Sequence, residues 1–482
     1  MFVVGPPCPP TNPLDSSTEA GVAVGCYVSS IIFSPIHQAL AKIPAKAYTM
    51  KLAVIGSGIS GLVAAYRLSP HNDVTLFESN SYLGGHTNTV DVRIDGERHR
   101  IDPGFIVFND RTYPNFCRLL DELGVDSVPT SMSFSVTCRK TGLEYNGSTL
   151  NGLFAQRSNL LRPGFYRMLR DILRFNHDAP RILSTSAREA MTVADYVRQH
   201  GYSRQFVDHY LLPMGAAIWS CPPTTFGRFP IRFVVEFYDN HGLLSLSDRP
   251  TWRVVRGGSS NYVSEIAQRL RGEIRLNCPV ATVRRNPNFV ELVDGRGRCE
   301  RFDEVIFACH ADQALRILAD ATPIEMDLLS AFPYETSMAV LHTDRSVLPQ
   351  RRRAWASWNY HLRDGGQRSA TVTYYMNKLQ HIHSRHDFCV TLNETDRIDP
   401  ARVLGRFKYG HPVFTTQRKL AQSRHQQVIR CGRTSFCGAY WGNGFHEDGV
   451  NSALAVCRRF ESQRIEIPSP RAPASTALRE VV

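Results

Sequence analysis

The chain has 482 residues, 43% hydrophobic and 21% charged, which is the composition of an ordinary globular protein too long for a single typical core. A formal net charge of +12 favours an anionic partner, either a phosphate-bearing cofactor or an anionic membrane surface. Nucleic acid is excluded because no basic stripe carries interleaved stacking aromatics, and twelve cysteines without a CxxC pair argue for reduced cytoplasmic thiols rather than a disulfide framework or structural zinc.

Residues 1–49 differ from the rest. They combine Pro6, Pro7, Pro9, Pro10 and Pro13 with an apolar run from Ala20 to Ile36 that lacks a basic leader and is broken at Pro35. A signal peptide and a membrane helix both fit poorly. The expectation is a disordered extension, or upstream sequence read through ahead of Met50.

The strand–turn–helix signal begins at Met50. An apolar strand, Lys51–Ile55, meets Gly56-Ser57-Gly58-Ile59-Ser60-Gly61, and an apolar helix follows from Leu62. A second apolar run, Asp73–Phe77, ends in Glu78, near the offset of about 20 residues expected for a ribose-binding carboxylate. Gly56 allows the tight turn, Gly58 lets a pyrophosphate approach the backbone, and Gly61 lets the helix pack close. The helix N-terminus offers free N–H groups and roughly half a positive charge. Glu78 would repel a 2′-phosphate, which disfavours NADP. The bland alternative is an ordinary glycine-rich βα turn.

Farther along come Ser81-Tyr82-Leu83-Gly84-Gly85-His86-Thr87, a hairpin over Thr89–Arg100, and a mostly helical region from Tyr113 to His200 that includes Pro114–Leu123 and Tyr166–Phe175. Trp252–Gly258 leads into a helix over Tyr262–Leu270. Val280–Val283 and Asp303–Ala308 read as strands. Ser337–Thr343, Ala354–Tyr360, Ala370–Met376 and Phe388–Leu392 alternate in the manner of an antiparallel sheet. A strand over Ser435–Tyr440 precedes a helix from about Gly449, and the tail beyond Ile465 is proline-rich.

Four separated motifs together resemble the flavin-containing amine oxidoreductase superfamily, which includes monoamine oxidases, protoporphyrinogen oxidase and phytoene desaturases. They are the glycine turn with Glu78; the Gly84-Gly85 doublet with His86 and Thr87; Val280 with the Glu304–Ala308 strand; and Gly438 followed by Glu447-Asp448-Gly449-Val450-Asn451-Ser452. An NAD dehydrogenase needs only the first, so the resemblance implies FAD. It further implies that Gly84 and Gly85 approach the pyrophosphate and ribityl chain, that Val280 touches adenine, and that the helix near Gly449 points at the isoalloxazine. Asp448 is then its N-cap or a ribityl partner. The implied fold is α/β: a Rossmann-like FAD-binding domain with a parallel sheet, carrying an inserted α+β substrate domain with an antiparallel sheet and a helical part. The expected FAD-binding segments are 50–110, 248–312 and 425–462. Residues 111–247 and 313–424 form the substrate domain, and 463–482 a disordered tail.

A narrower resemblance rests on Trp355–Tyr360, Tyr374–Gln380 and Gly444–Gly449. These look like a bacterial branch associated with cyclopropane-fatty-acid synthase-type methyltransferases. It implies desaturation of an apolar, methyl-branched fatty acyl chain by hydride transfer to flavin, on a small apolar or phospholipid substrate. The methyltransferase is an expected partner, with contact to the inner face of the membrane. An amine oxidase, supported by Tyr440-Trp441, and a flavin-holding partner without turnover are the alternatives.

The catalytic candidates are Lys378, at the end of an aromatic strand; His446, as a proton acceptor titrating near neutrality; and Tyr375, as a wall of an acyl tunnel. Each has a bland counterpart: a solvated lysine, a loop-shaping histidine and a sheet-core tyrosine. His381, His383, His386 and Asp387 invite a metal reading, but no second ligand cluster has zinc-like spacing, so no metal is expected.

Overall fold

A computed structural model describes residues 49–184, 191–219, 221–245, 249–362, 371–413, 415 and 417–465. The expected N-terminal extension, Thr49 apart, and the tail beyond Ile465 lie outside the described residues.

The glycine turn sits at the edge of a five-stranded, wholly parallel sheet in the order Gly272–Arg275, Asp73–Phe77, Lys51–Ile55, Glu304–Phe307, Thr434–Phe436. The central strand, Lys51–Ile55, is buried on both faces, which is why it reads as a continuous apolar run rather than an alternating one. On one face the helices Ile59–Leu68, Pro114–Leu123, Ser260–Arg269 and His446–Ile465 share one apolar cluster with Leu52, Val54 and Leu76. On the other face Ala53, Ile55 and Phe77 pack with the antiparallel strands Val280–Arg285, Val290–Asp294 and Cys299–Phe302.

The second sheet has seven strands, ordered Val403–Pro412, Tyr334–His342, Cys389–Leu392, Val372–Tyr375, Trp358–Leu362, Phe134–Cys138, Leu143–Asn146. It is antiparallel except where Trp358–Leu362 runs parallel to Phe134–Cys138. A helical layer that includes Pro163–Asp178 and Ile231–Asn240 builds its own core around Phe175, Trp219 and Phe226. The described residues from Thr49 onward form one compact unit. The chain crosses several times between the parallel sheet and the seven-stranded one, so the two share walls.

Boundaries moved where tertiary contacts supply the cap. The helix expected from about Gly449 starts at His446. The hairpin is Val90–Ile94 with Glu97–Ile101, turning at Asp95-Gly96 with φ of 50° and 82°. Those two positive φ values are the signature of a type I′ turn. Pro114–Leu123 has no capping side chain of its own. Glu447 supplies one from the C-terminal helix, accepting the backbone N–H of Asn115 at 3.0 Å and of Phe116 at 2.8 Å.

Candidate active site

A cavity of about 730 Å³ opens where the two sheets meet. One end is built by the glycine turn, and the N-terminus of the Ile59–Leu68 helix opens onto it. Gly56 takes φ of +102° and its N–H donates to Phe77 O at 2.8 Å, which pins the turn to the second strand. A Cβ on Gly58 would meet no protein atom within 4 Å, so its open side is cavity. Across from it, a Cβ on Gly85 would lie 3.3 Å from the Gly58 Cα. The two bare backbones thus leave a slot that any side chain would fill, and a pyrophosphate fits that slot and the helix N–H groups above it. Gly61 does a different job. A Cβ there would stand 1.8 Å from Gly56 O, so it serves packing and faces away from the cavity.

Glu78 lines the cavity and is buried. Its Oε2 accepts from Ser57 N at 2.9 Å and Ser57 Oγ at 2.5 Å, and its Oε1 from Asn80 N at 2.8 Å and Asn80 Nδ2 at 2.9 Å. The carboxylate therefore also locks the turn to the end of the second strand, and a ribose hydroxyl competes with these donors. Val280 does not line the cavity. It packs among Phe77 and Cys278, while Asn277 and Cys278 donate to Asn80 O and Glu78 O and run the chain alongside the turn.

The C-terminal segment Gly438–Tyr440 and Asn443–His446 forms another wall. His446 is stacked on Phe105 with ring centroids 3.4 Å apart. Its Nε2 lies 2.9 Å from Thr87 Oγ1 and 3.0 Å from Tyr262 OH, and those hydroxyls are 2.5 Å apart. Burial pushes its pKa down to about 3. The expected near-neutral proton acceptor is instead a neutral ring held in a hydroxyl triangle. Thr87 belongs to that triangle and not to the cavity lining. Asp448 is not the N-cap. It is the third residue of the helix and its Oδ2 accepts the N–H of Phe445 at 2.9 Å, while burial raises its pKa to about 6 against the pull of Arg418. Gly449 and Val450 lie behind the wall. Gly449 packs so closely on Ile59 and Ser60 that a Cβ would meet Ile59 Cγ2 at 2.6 Å, and Val450 is buried in the helical cluster.

The far end is apolar and aromatic, lined by Ile106, Val107, Ile218, Trp219, Trp358 and Tyr374. Tyr375 is not part of it. Successive residues of a strand face opposite sides, so Tyr374 meets Trp358 at 5.1 Å between ring centroids while Tyr375 OH donates to Asp387 at 2.8 Å. Lys378 follows in the short helix Met376–Leu379, half-buried and off the cavity, where burial lowers its pKa. The histidines considered for metal disperse: His381 Nε2 lies 2.8 Å from Pro129 O, and His386 pairs with Asp95.

Sequence reasoning missed the strand Val403–Pro412, whose Lys408, Tyr409, Gly410 and His411 close the cavity, and also His310. The alternation Arg406-Phe407-Lys408-Tyr409 was the available signal. The rings of His86 and His411 are 5.4 Å apart, those of His86 and His310 6.2 Å, and His310 stacks on Tyr334 at 4.3 Å. Burial, reinforced for His86 and His411 by neighbouring imidazoles, lowers all three pKa values, that of His411 to about 4. These imidazoles are thus uncharged, and among the described lining residues Lys408 is the one lysine or arginine.

A parallel sheet with a glycine turn at its carboxyl edge, a glycine doublet facing that turn and a C-terminal helix start on the same cavity define a two-sheet dinucleotide flavoprotein. Residues 59–353 match the family model of the flavin containing amine oxidoreductases, and the chain belongs to that family. That family is flavin-containing, and the phosphate slot between Gly58 and Gly85 fits the pyrophosphate of FAD. Over 62 residues it is 40% identical to a 4,4'-diapophytoene desaturase (4,4'-diaponeurosporene-forming) of Staphylococcus aureus, a match spanning 13% of this chain and 12% of that one. Solved structures share the fold. Cyclohexylamine oxidase from Brevibacterium oxydans IH-35A superposes with a TM-score of 0.61 at 16% identity, covering 86% of this chain and 100% of that one. The CLA-producing fatty acid isomerase from P. acnes gives 0.59 at 13% identity, covering 85% and 98%.

FAD, when bound, supplies the hydride acceptor. The chain's own residues offer the phosphate slot, exclude water with Trp219, Trp358 and Tyr374, and hold His446 unprotonated at the wall.

Proposed function

We propose that the enzyme oxidises a C–C bond of an apolar, methyl-branched fatty acyl chain, and that a lipid methyltransferase of the cyclopropane-synthase type works beside it. One observation carries the substrate class. Among the described residues, the only carboxylates lining the cavity are Glu78 and Asp312, both at the glycine-turn end, and the aromatic end shows none. An ammonium ion entering that end would lose its hydration with no counter-charge to replace it, whereas a hydrocarbon chain loses nothing. The match to a desaturase and the shared fold with a fatty acid isomerase support the same reading.

Amine oxidation is the second reading, kept by the family itself and by the fold shared with cyclohexylamine oxidase. The two separate on anaerobic mixing of the holoenzyme with detergent-dispersed methyl-branched acyl lipids or with primary amines. Flavin bleaching by the lipids is expected. Bleaching by amines alone overturns the proposal, and bleaching by neither leaves a flavin-holding partner of the methyltransferase as the better account.

A further inference from the structure

Large apolar side chains are unevenly exposed. Of the eight that stand out among the described residues, five fall within 24 positions of one another: Leu150, Leu160, Leu161, Tyr166 and Leu173. Leu161 is 86% and Leu150 76% exposed, more than any of the other six. They belong to consecutive elements: a short helix Leu150–Leu153, a 3-10 turn Arg157–Leu161, and the helix Pro163–Asp178.

Direct contacts tie them into one surface. Tyr166 OH donates to Leu160 O at 3.1 Å, and the Tyr166 ring lies 6.2 Å from that of Phe154. Arg157 bridges back to Phe154 O at 3.0 Å and Asn151 Oδ1 at 2.8 Å. Leu173 is two helical turns beyond Tyr166, on the same side.

The charge on this surface is of one sign. Arg157, Arg162, Arg167 and Arg170 form no ion pair with a described residue, though Arg174 and Arg181 do. Of the two acids in the helix, Asp171 is buried and Asp178 is paired with His177 and Arg181. Unpaired arginines interleaved with bare leucines and a tyrosine are what a headgroup boundary accepts: the apolar tips enter the acyl edge and the guanidinium groups stay with phosphates. No helix among the described residues is long and apolar enough to cross a membrane, so a surface of this kind lies on a bilayer and does not span it.

We infer that the face made by Leu150, Leu160, Leu161, Tyr166, Leu173 and their flanking arginines docks the protein on an anionic phospholipid surface. The inner side of the same helix lies behind the cavity wall: Phe165, Met168 and Phe175 share a core with Trp219, which lines the aromatic end. A docked bilayer thus rests on the layer that builds that end. The inference stands on exposure and charge, not on the identity of the substrate, and vesicle binding is read without turnover.

The test is flotation of the full holoenzyme with vesicles of phosphatidylcholine, alone or with about one-third phosphatidylglycerol. Binding is expected on the anionic vesicles and is expected to fall with salt. Leu160→Asp/Leu161→Asp should weaken it roughly tenfold or more. Replacing Arg157, Arg162, Arg167 and Arg170 by Ala should cost roughly fivefold per arginine on anionic vesicles and little on neutral ones. Leu160, Leu161, Arg157, Arg167 and Arg170 are exposed and Arg162 is half-buried, so flavin content should not move and melting temperature should fall only by what the Arg157 and Arg162 hydrogen bonds contribute, which certifies that the variants are folded. No wild-type binding, or equal binding by the variants, overturns the inference. So does a wild-type dimer that Leu160→Asp/Leu161→Asp converts to monomer without any vesicle binding, which would assign the face to a second copy of the chain.

Discussion

Gln380 holds Asp102 from both sides: its Oε1 accepts the Asp102 backbone N–H at 2.9 Å, and its Nε2 donates to Asp102 Oδ2 at 2.7 Å. Asp102 follows the hairpin beside the parallel sheet, and Gln380 ends the aromatic strand and short helix of the seven-stranded sheet. The carboxylate also receives Thr89 Oγ1 and the Ser259 N–H and hydroxyl, and it is completely buried. Gln380→Leu removes one donor and one acceptor from an otherwise satisfied buried network. The expected cost is about 2–3 kcal/mol, read as a lowered urea midpoint. An unchanged midpoint would show that water replaces the amide.

Gly58 and Gly61 should respond oppositely to the same methyl group. Gly58 has φ −60° and ψ 173°, which alanine adopts freely, and its Cβ would meet nothing. Gly58→Ala should therefore leave apoprotein stability within about 0.5 kcal/mol and weaken FAD retention at least tenfold. Gly61→Ala drives a Cβ into Gly56 O and should cost about 3 kcal/mol of fold stability. Flavin absorbance after gel filtration and the apoprotein melting curve separate the two.

Tyr374 and Tyr375 differ only in which face they take. Tyr374→Ala opens the aromatic end and should raise KM for the substrate several-fold. Tyr375→Phe loses only its bond to Asp387 and should change turnover less than twofold. Lys378→Met should likewise leave turnover close to wild type, because Lys378 is off the cavity. A large loss in either of the last two would return those side chains to the chemistry.

Acid should unfold the protein steeply. His241, His342, His361, His425 and His446 are buried, and burial depresses each pKa to about 3 or 4. The unfolded chain binds these protons from about pH 6.5 downward and the folded one does not, so their stability is complete above that pH and is lost as pH falls. Asp102 and Asp448 have pKa values raised to about 6, so they act in the opposite sense between about pH 4 and 6, favouring the fold on the acid side. With His411, also held at about 4, six histidines outweigh two carboxylates, His86 and His310 act in the same direction, and a net uptake of about four protons or more on unfolding near pH 5 is expected from the slope of stability against pH. Stability that stays flat from pH 7 to 5 would contradict the burial of these rings.

His446 should not shape the pH–rate profile between pH 6 and 8. His446→Asn should lower the melting temperature, because Thr87 and Tyr262 lose a shared partner, and should leave the neutral limb of the profile where it is. Loss of a limb near pH 6.5 in this variant would restore His446 as the proton acceptor.

The sequence by itself determined the local parts. Lys51–Ile55, the glycine turn, Glu78 and the Gly84-Gly85 doublet are legible because strand, turn and helix signals depend on neighbours a few residues away. The alternating strands between Ser337 and Leu392 were legible for the same reason. Tertiary structure decided what faces the cavity. Its walls come from strands as distant as Lys51–Ile55 and Val403–Pro412, and no local period reports which of those meet. One step along a strand turns Tyr375 away and Tyr374 in. The uncharged state of His446 followed from its burial, stacked on Phe105 hundreds of residues earlier. Charge and protonation depend on the dielectric a group is packed into, and that is set only once the chain has closed around it.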